Sequence, residues 1–274
     1  MNILQSVRSQ DQGFLVHNKK LLKIRMFLFT FITLMIISIS GFTQCVEVDE
    51  KNLPFHSGEK LKFQIGWGPI PAGKAVLEIF PLETVDGMNC NHFVMTARTN
   101  SFVDVFYKVR SRIDAYTDLA MTHSVLYKNR KKGRNKRDII VNFDWGKKEV
   151  QYSDFGKKKK SVSVLPGTFD PLSVFYYFRL TDLEENQEIE SPVTDGKKCI
   201  VGKARVIKRE TIMVLGKSYD TFLVEPELSH LKGVFEKSKN ARLQIWVTID
   251  NRTPVRIKSK VLVGSFVAEL IPEQ

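Results

Sequence analysis

The sequence has none of the short motifs that mark the common catalytic and metal-binding families. It contains no GxSxG, no glycine-rich loop that opens a helix, no CxxC and no HExxH or HxxxH pair. The histidines are scattered along the chain, at His17, His56, His92, His123 and His230. We therefore expect no catalytic residue, no metal site and no cofactor, and the sequence favours a protein that is not an enzyme.

The chain also lacks a hydrophobic run of the length of a membrane-spanning helix. Its longest apolar segment, MFLFTFITLMIISI at residues 26–39, falls short of the roughly 20 residues that such a helix needs. Basic residues precede the segment and small residues follow it, which is the order of a secretory signal peptide. We predict that residues 1–44 are a polar N-terminal extension and signal peptide, cleaved near 40–45. An uncleaved N-terminal anchor is the alternative.

Cleavage there leaves residues 45–274 as a single exported β-rich domain. We expect this domain in the periplasm or in association with the outer membrane of a bacterium. Neither the true start of translation nor the choice between these two locations follows from the sequence.

Cysteine is scarce, and the three in the chain are Cys45, Cys90 and Cys199. Cys45 occupies the place of an acylated cysteine, but Gln44 is too large for the position before one, so lipidation is not expected. Export permits a disulfide between Cys90 and Cys199. Two buried free thiols are equally compatible with the sequence.

Acidic residues are fewer than basic residues, and the formal net charge is +12. From Cys45 onward 37 basic and 29 acidic residues remain, which gives a net charge of +8. An exported protein of this charge is compatible with anionic lipid, lipopolysaccharide or a cell-wall polymer as its partner. Nucleic acid is not an expected partner outside the cytoplasm, and the oligomeric state stays open.

Two basic runs, residues 128–137 and 157–160, concentrate this charge. Such runs are commonly solvated hairpin tips that keep edge strands from pairing with other chains. The alternative is contact with a membrane surface or an anionic glycan. The candidate residues for that contact are Lys131, Lys132, Arg134, Lys157, Lys158, Lys159 and Lys160.

Apolar and polar residues alternate along most of the chain beyond the signal peptide. The alternation is clear in residues 61–67, 138–143 and 242–249. A period of two indicates half-buried strands with one face on a core and one in water, as in antiparallel sheets.

Closely spaced turn sequences support the same arrangement. Asp-Gly at 86–87 and at 195–196 predicts two-residue hairpin turns. Asp-x-Gly at 144–146 and at 154–156 predicts three-residue turns in which the glycine forms a bulge. The spacing leaves too little chain for the crossovers that parallel strands need.

One segment, FDPLSVFYYFRLTD at residues 169–182, breaks the alternation. Asp170 can cap a helix and Pro171 fits its first position, and residues 172–180 are apolar on nearly all sides, as in a buried helix. A second short helix or irregular turn is expected at residues 101–107. We predict a mainly β fold, a curved antiparallel sheet or partly open β-barrel with one central helix packed on it.

Five residues are candidates for ligand contact, because they belong to the apolar helix or are tryptophans beside polar or flexible neighbours. They are Trp67, Phe175, Tyr176, Arg179 and Trp246. An enzyme that acts on cell-wall glycan would instead need convergent polar groups in a cleft. The candidates for that role are Asp144, Asp170, Arg179 and Trp246.

Four phrases of the sequence resemble, in the same order, a bacterial envelope family known as domain of unknown function 3108. They are GEKLKFQIGWGPIPAGKAVLEI at 58–79, VNFD at 141–144, DPLSVFYYFR at 170–179 and LQIWVTIDNRTPVRIKSKVLVGSFVAEL at 243–270. The resemblance covers nearly the whole chain after residue 45. It implies a signal peptide and a β-rich exported domain, and it implies no known reaction, so no catalytic residue is carried over.

Three functions are compatible with these observations. The first is a non-catalytic envelope protein that binds an apolar or amphiphilic ligand, such as a lipid or an acyl chain, in a cleft between sheet and helix. The second is an envelope scaffold or assembly protein that holds a protein partner through the basic hairpins or a sheet edge. The third is an enzyme acting on cell-wall glycan.

Overall fold

The structure is a computed structural model, and it describes residues 53–133, 136–227, 242–260 and 265–272. The predicted signal peptide, Cys45 and Arg134 lie outside the described residues. Val48–Gln274 forms one compact unit. Within the described ranges, no helix combines the length and the apolar character that crossing a membrane requires.

Strands dominate the part of the chain that the structure describes. They are β1 (Lys60–Trp67), β2 (Ile70–Val85), β3 (Met88–Thr99), β4 (Val109–Asp118), β5 (Ser124–Gly133), β6 (Arg137–Asp144), β7 (Glu149–Asp154), β8 (Lys157–Lys158), β9 (Val162–Ser163), β10 (Glu188–Thr194), β11 (Cys199–Val214), β12 (Lys217–Pro226), β13 (Arg242–Thr248), β14 (Pro254–Lys260) and β15 (Ser265–Leu270). The two helices among the described residues are α1 (Ser101–Tyr107) and α2 (Ser173–Phe178).

All of these strands belong to one antiparallel sheet, and the predicted mainly β fold is confirmed. Its order is β10-β11-β12-β13-β14-β15-β1-β2-β3-β4-β5-β6-β7-β8, with β9 also paired to β7. Nearly every strand therefore lies beside its neighbours in sequence. The exceptions are β9, which pairs with β7 and with neither β8 nor β10, and β1, which also pairs with the last strand, β15, so that Phe63 lies opposite Leu270.

The sheet does not close through a direct ladder, so the barrel is partly open. An irregular segment instead connects the end strand β10 to β5, an interior strand of the sheet. The amide of Phe169 donates to the carbonyl of Pro192 at 2.9 Å. The amide of Thr194 donates to the carbonyl of Phe169, also at 2.9 Å. On the other side, the amide of Ser124 in β5 donates to the carbonyl of Thr168 at 3.1 Å. Residues 168–170 thus lie between β10 and β5.

Helix α2 packs on the inner face of the curved sheet, as the sequence predicts. The ring of Tyr176 stacks on Phe93 with 4.1 Å between ring centroids, and Phe55 meets Tyr176 edge-on at 5.6 Å. These rings belong to the main hydrophobic cluster, together with Phe63 and Leu172. The predicted short helix at residues 101–107 is also present, as α1.

Three of the four predicted turns are wrong, and the two Asp-x-Gly turns are among them. Asp154 pairs with Lys157, so the loop between them has only Phe155 and Gly156, both with positive φ (48° and 74°). These angles are those of a two-residue type I′ turn, whose twist matches that of the strands it joins. The loop that starts after Asp144 runs through residues 145–148 before the strand pairing resumes, so it is longer than predicted.

The Asp-Gly at 195–196 differs from its prediction for a packing reason. Thr194 pairs with Cys199, so the loop has four residues instead of two. A β-carbon on Gly196 would lie 2.7 Å from a methyl group of Val141. The four-residue loop therefore packs closely on β6, where the predicted two-residue turn is not formed. The Asp-Gly at 86–87 forms the predicted two-residue turn, because Val85 pairs with Met88.

Candidate functional site

A dense group of basic side chains lies on the outer face of strands β1 to β5. Successive residues of a strand point to opposite faces of the sheet. Phe63 in β1 and Phe93 in β3 point into the core cluster that contains residues of α2. The residues on either side of Phe63, Lys62 and Gln64, therefore point to the outer face. The register of the five strands then determines which outer-face residues meet.

The first row of this group crosses four strands. Lys74 lies opposite Arg98, Arg98 lies opposite Arg110, and Arg110 lies opposite Lys132. Directly opposed residues have β-carbons about 4.5–5.5 Å apart, and like charges at that separation repel. The fold thus holds four cationic side chains in one line.

A second row runs parallel to the first, two residues further along each strand. Lys62 lies opposite Val76, Val76 opposite Thr96, Thr96 opposite Arg112, and Arg112 opposite Arg130. Here two small uncharged side chains separate the basic ones. The row therefore has an uncharged centre between cationic ends.

The two rows line a pair of adjoining depressions of about 640 and 650 Å³, which we call the outer-face groove. Lys74, Arg98 and Arg110 line both depressions. Ile70 and Pro71 contribute apolar surface to the first. Of the described residues that line the second depression, none is acidic.

Three of the basic side chains have carboxylate partners. Arg110 binds Asp104, with one nitrogen 3.0 Å from Oδ1, and Arg112 binds Asp114 at 2.6 Å. Arg130 approaches Asp138 at 3.3 Å.

The partnered carboxylates beside the groove remain ionised. Hydrogen bonds from Arg110 and then Thr99 lower the pKa of Asp104 to about 2. Burial opposes ionisation of Asp114, but its hydrogen bonds with His92 and Arg112 give it a pKa well below the usual range. Each of these acids therefore neutralises one guanidinium over the whole physiological pH range.

The remaining basic residues of the groove lack such a partner. Within the described ranges, no carboxylate lies within ion-pair distance of Lys62, Lys74, Arg98 or Lys132. These four cations face one groove, in which the one acidic lining residue among those described, Glu269, is bound to Arg256 at 2.7 Å. Such an arrangement can hold an anion, or the anionic head of a larger molecule.

The five predicted ligand residues do not form one site. Tyr176 and Arg179 are fully buried on the inner side, and Phe175 is half-buried beside them. Trp67 stacks on Phe266 at the end of β1, with 6.2 Å between ring centroids. Trp246 belongs to a separate hydrophobic cluster with Leu223 and others.

The structure also gives Arg179 and Trp246 partners within the chain. Arg179 makes two contacts with Glu59, at 2.5 and 2.9 Å, and the indole Nε1 of Trp246 donates to Glu210 at 3.0 Å. Their polar groups are therefore used by the fold itself.

The two carboxylates named for an enzyme have separate surroundings. Asp144 is exposed in a turn, where its side chain accepts hydrogen bonds from the amide and ammonium groups of Lys147 at 3.0 and 2.7 Å. Asp170 is buried and accepts a hydrogen bond from the hydroxyl of Ser124 at 2.6 Å. Burial raises the pKa of Asp170. The contacts of both carboxylates are those of structural turn and cap residues.

The predicted surface lysines fall in two places. Lys131 and Lys132 lie at the end of β5, and Lys132 lines the groove. Lys157 and Lys158 form β8, and Lys159 extends over the ring of Tyr152 at 5.4 Å. Of these lysines only Lys132 lines the outer-face groove, since Lys131 alternates with it and points to the other face of β5. Lys160 is exposed just after β8.

The sequence analysis missed most residues of the groove. Lys62, Lys74, Arg98 and Arg110 are isolated in sequence, and no basic run marks them. The available signal was the strand alternation itself, which places a basic residue on the polar face of each of these strands. Finding the rows also requires the strand register.

Cys90 and Cys199 are free thiols in the structure. Cys90 is buried and donates to the carbonyl of Met88 at 3.4 Å, and burial raises its pKa. The described part of the chain contains no cluster of three or more histidine, cysteine, aspartate or glutamate side chains placed to hold a metal ion.

Comparison with known proteins identifies the family of the chain. The family described as protein of unknown function (DUF3108) matches residues 62–271. No curated protein sequence matches the chain.

The solved structures that are similar to the chain include the following two. A β-barrel-like protein of the DUF1849 family from Brucella abortus is 10% identical, with a TM-score of 0.49, over 77% of this chain and 94% of that one. A protein from Bacteroides fragilis, regarded as exported and with a YmcC-like fold, is 8% identical, with a TM-score of 0.30, over 80% of this chain and 96% of its own.

Proposed function

This chain belongs to the DUF3108 family of proteins of unknown function, and from that premise we propose that it is an exported, non-catalytic cell-envelope protein that binds an anionic amphiphile. The ligand is a lipid-like molecule with a phosphate or carboxylate head. Its site is the outer-face groove, not a cleft between α2 and the sheet.

One observation carries this proposal. Lys74 and Arg98 lie directly opposite each other, with Arg110 next in line, and neither Lys74 nor Arg98 has an acidic partner among the described residues. Like charges placed opposite each other destabilise a sheet. A bound anion converts that repulsion into attraction, so the row has a physical use when a ligand is present.

The apolar parts of the groove support an amphiphile over a simple inorganic anion. Val76 lies at the centre of the second row, and Ile70 and Pro71 line the first depression. Ligand sites of this kind combine apolar walls with a few polar groups that fix the orientation of the ligand. The charged head would lie along Lys74 and Arg98, and the chain would follow the apolar wall.

The inner face is less suited to the same ligand. Tyr176 and Phe93 stack in direct contact, and Phe63 is buried in the same cluster. Interiors packed in this way accept extra methylene groups only at a cost of about 1–3 kcal/mol. An acyl chain between α2 and the sheet would have to displace these rings.

Export rests on the predicted signal peptide, with its apolar segment at residues 26–39. We place the processed protein in the periplasm or at the outer membrane. Both locations hold anionic amphiphiles, since bacterial envelope lipids carry phosphate groups.

Isothermal titration of the exported protein tests the proposal, with dodecyl phosphate below its critical micelle concentration as the probe. Dodecyl maltoside and inorganic phosphate are the neutral and chain-free comparisons. We expect dodecyl phosphate to bind, and the double variant Lys74→Gln/Arg98→Gln to bind at least about tenfold more weakly. The matched control Lys157→Gln/Lys158→Gln removes two exposed lysines outside the groove and should bind as the unaltered protein does.

Three results would count against the proposal. Equal binding of dodecyl maltoside would show that charge is irrelevant. Loss of binding in the Lys157→Gln/Lys158→Gln control alone would move the site to the β8 region. Unchanged binding in Lys74→Gln/Arg98→Gln would remove the groove from the proposal.

A further inference from the structure

Helix α1 is built with its apolar side outward. Its sequence is SFVDVFY, and none of its residues is buried. Phe102, Val105 and Phe106 are 60%, 78% and 71% exposed. Surface helices of water-soluble proteins normally turn such a stripe toward the core.

The charged residue of the same helix is turned inward. Asp104 accepts a hydrogen bond from the hydroxyl of Thr99 and binds the guanidinium of Arg110. The side chain of Asn100 caps the helix by accepting from the amide of Val103 at 2.9 Å. These contacts fix the orientation of α1, so exposure of its apolar side is imposed by the fold.

Further apolar side chains are exposed at the same end of the sheet. The amide nitrogen of the Asn100 side chain donates to the carbonyl of Pro71 at 2.5 Å, which places the start of α1 beside the start of β2. Ile70 is exposed there, opposite Trp67, and Trp67 stacks on the exposed ring of Phe266. We call this surface the aromatic end, defined by Trp67, Ile70, Phe102, Val105, Phe106 and Phe266.

Basic residues surround the aromatic end. Lys108 follows α1 directly and is exposed. The next residue, Val109, pairs with Gly133, which brings the end of β5 beside α1. Lys131 extends over the ring of Tyr107 at 5.8 Å. On the other side of Phe266, Lys260 pairs with Ser265.

We propose that the aromatic end docks on the surface of a bilayer that contains anionic phospholipid, with the rings of α1 in the interfacial layer. Aromatic side chains favour the interface between headgroups and acyl chains, and basic side chains beside them bind anionic headgroups. Charge complementarity selects this occupant, because the apolar stripe is bordered by lysines. The inference goes beyond the proposed groove ligand, since it concerns a different surface and an assembled membrane.

Docking would also bring the outer-face groove to the membrane. Arg110 binds Asp104 of α1 and lines the groove, so the two surfaces adjoin. A lipid that leaves the bilayer at α1 would therefore have only a short path to the row of Lys74 and Arg98. This relation rests on the proposed function, whereas docking itself does not.

Vesicle flotation of the exported protein tests the docking. The vesicles are phosphatidylcholine alone, or an equimolar mixture of phosphatidylcholine and phosphatidylglycerol. We expect flotation with the mixed vesicles, weakened by added salt, and little with phosphatidylcholine. Phe102→Ser/Phe106→Ser should lower the partition coefficient for mixed vesicles at least about tenfold, since burial of each ring in an apolar layer is lost.

The matched control is Leu82→Ser/Leu119→Ser, which removes two exposed apolar side chains at the ends of β2 and β4 that lie farthest from α1. It should float as the unaltered protein does. Thermal melting of both double variants checks that they fold, and exposed positions are expected to tolerate serine.

Three outcomes would overturn the docking. They are absence of flotation with mixed vesicles, equal flotation of Phe102→Ser/Phe106→Ser, and sedimentation data in which the aromatic end holds two copies of the chain together. The titration with monomeric dodecyl phosphate measures ligand binding in the outer-face groove without a membrane, and so independently of docking. Loss of flotation with retained dodecyl phosphate binding, or the reverse, therefore separates failure of this inference from failure of the proposed function.

Discussion

Arg179 and Glu59 form a buried ion pair between two segments 120 residues apart in sequence. The guanidinium contacts both carboxylate oxygens, at 2.5 and 2.9 Å, and also donates to the carbonyl of Pro54 at 3.0 Å. The guanidinium carbon lies 5.2 Å and 5.8 Å from the ring centroids of Phe55 and Tyr176. The pair thus fastens the segment before β1 to the residue that follows α2.

We predict that either single change, Arg179→Met or Glu59→Gln, lowers the free energy of unfolding by about 3–5 kcal/mol, because each leaves a buried partner unpaired. The double variant should lose less than the sum of the two, since it leaves no unpaired charge. Urea unfolding of the four proteins measures the coupling. Additive losses would show that the two groups act independently.

A second prediction concerns Asp170, the buried residue that caps α2. Its carboxylate accepts hydrogen bonds from the amides of Leu172 and Ser173 at 2.8 and 3.0 Å. Because burial raises its pKa, the folded state binds a proton more tightly than the unfolded state does. The resulting stabilisation is complete below the ordinary pKa of aspartate and is lost as the pH rises through the raised value.

Asp170→Asn should therefore remove one component of the pH dependence of stability. We expect its free energy of unfolding, relative to the unaltered protein, to rise as the pH increases above the ordinary pKa of aspartate. Asp170→Ala removes the cap as well and should lose about 1–2 kcal/mol throughout. Urea unfolding at several pH values measures both. A parallel pH profile for Asp170→Asn and the unaltered protein would contradict the assignment.

The strands and the central helix could be predicted because local patterns determine them. A period of two indicated strands such as β1 and β13, and Asp170-Pro171 before an apolar run indicated α2. The helix is shorter than its apolar run, with Ser173–Phe178 as its limits. Leu172 and Arg179 flank the helix: Leu172 packs in the main hydrophobic cluster, and Arg179 binds Glu59. The periodicity of the sequence does not show these contacts.

The outer-face groove could not be predicted in the same way. It depends on which residues of five strands lie opposite one another, and bulges alter that register, for example between Phe80 and Glu83. The basic runs at 128–137 and 157–160 are visible in the sequence because their residues are contiguous. The row of Lys74 and Arg98 is assembled by tertiary structure alone.

Gly133 gives a third prediction, about the junction that holds α1. Its φ is +115°, and a β-carbon there would lie 2.2 Å from the carbonyl oxygen of Lys108. Gly133→Ala should cost about 2–3 kcal/mol, because the backbone at Lys108 must move. Gly156→Ala is the control: its φ is +74° with open space around it, so only the left-handed strain of about 1–2 kcal/mol is expected. Equal losses in the two variants would show that the contact with Lys108 is absent.

The fourth prediction concerns the thiols. Cys90 is buried with a raised pKa, whereas Cys199 is half-buried, with its sulfur 3.5 Å from the hydroxyl of Thr168. The thiolate is the reactive form, so we expect Cys199 to be alkylated before Cys90 in the folded protein. Both should react in urea without a reductant, as mass spectrometry of the alkylated peptides would show. A requirement for reductant would demonstrate a disulfide that the structure lacks.

The last prediction links the groove to stability. Lys74 lies between Gln64 and Arg98 in the register, and Arg98 lies between Lys74 and Arg110. If these cations repel one another in the absence of ligand, neutralising two of them should stabilise the free protein. We expect Lys74→Gln/Arg98→Gln to raise the free energy of unfolding by about 0.2–1 kcal/mol at low ionic strength.

Added salt should shrink this gain, because exposed charges are screened beyond about 10 Å at 0.1 M. Lys203→Gln is the contrasting variant, since Lys203 binds Glu188 at 3.1 Å and also contacts Glu190, and its neutralisation should bring no gain. Gain of stability together with loss of dodecyl phosphate binding is the pattern of residues retained for a ligand at the expense of the fold. A less stable Lys74→Gln/Arg98→Gln protein would mean that the row is already neutralised within the chain, and the outer-face groove would lose its reason to bind an anion.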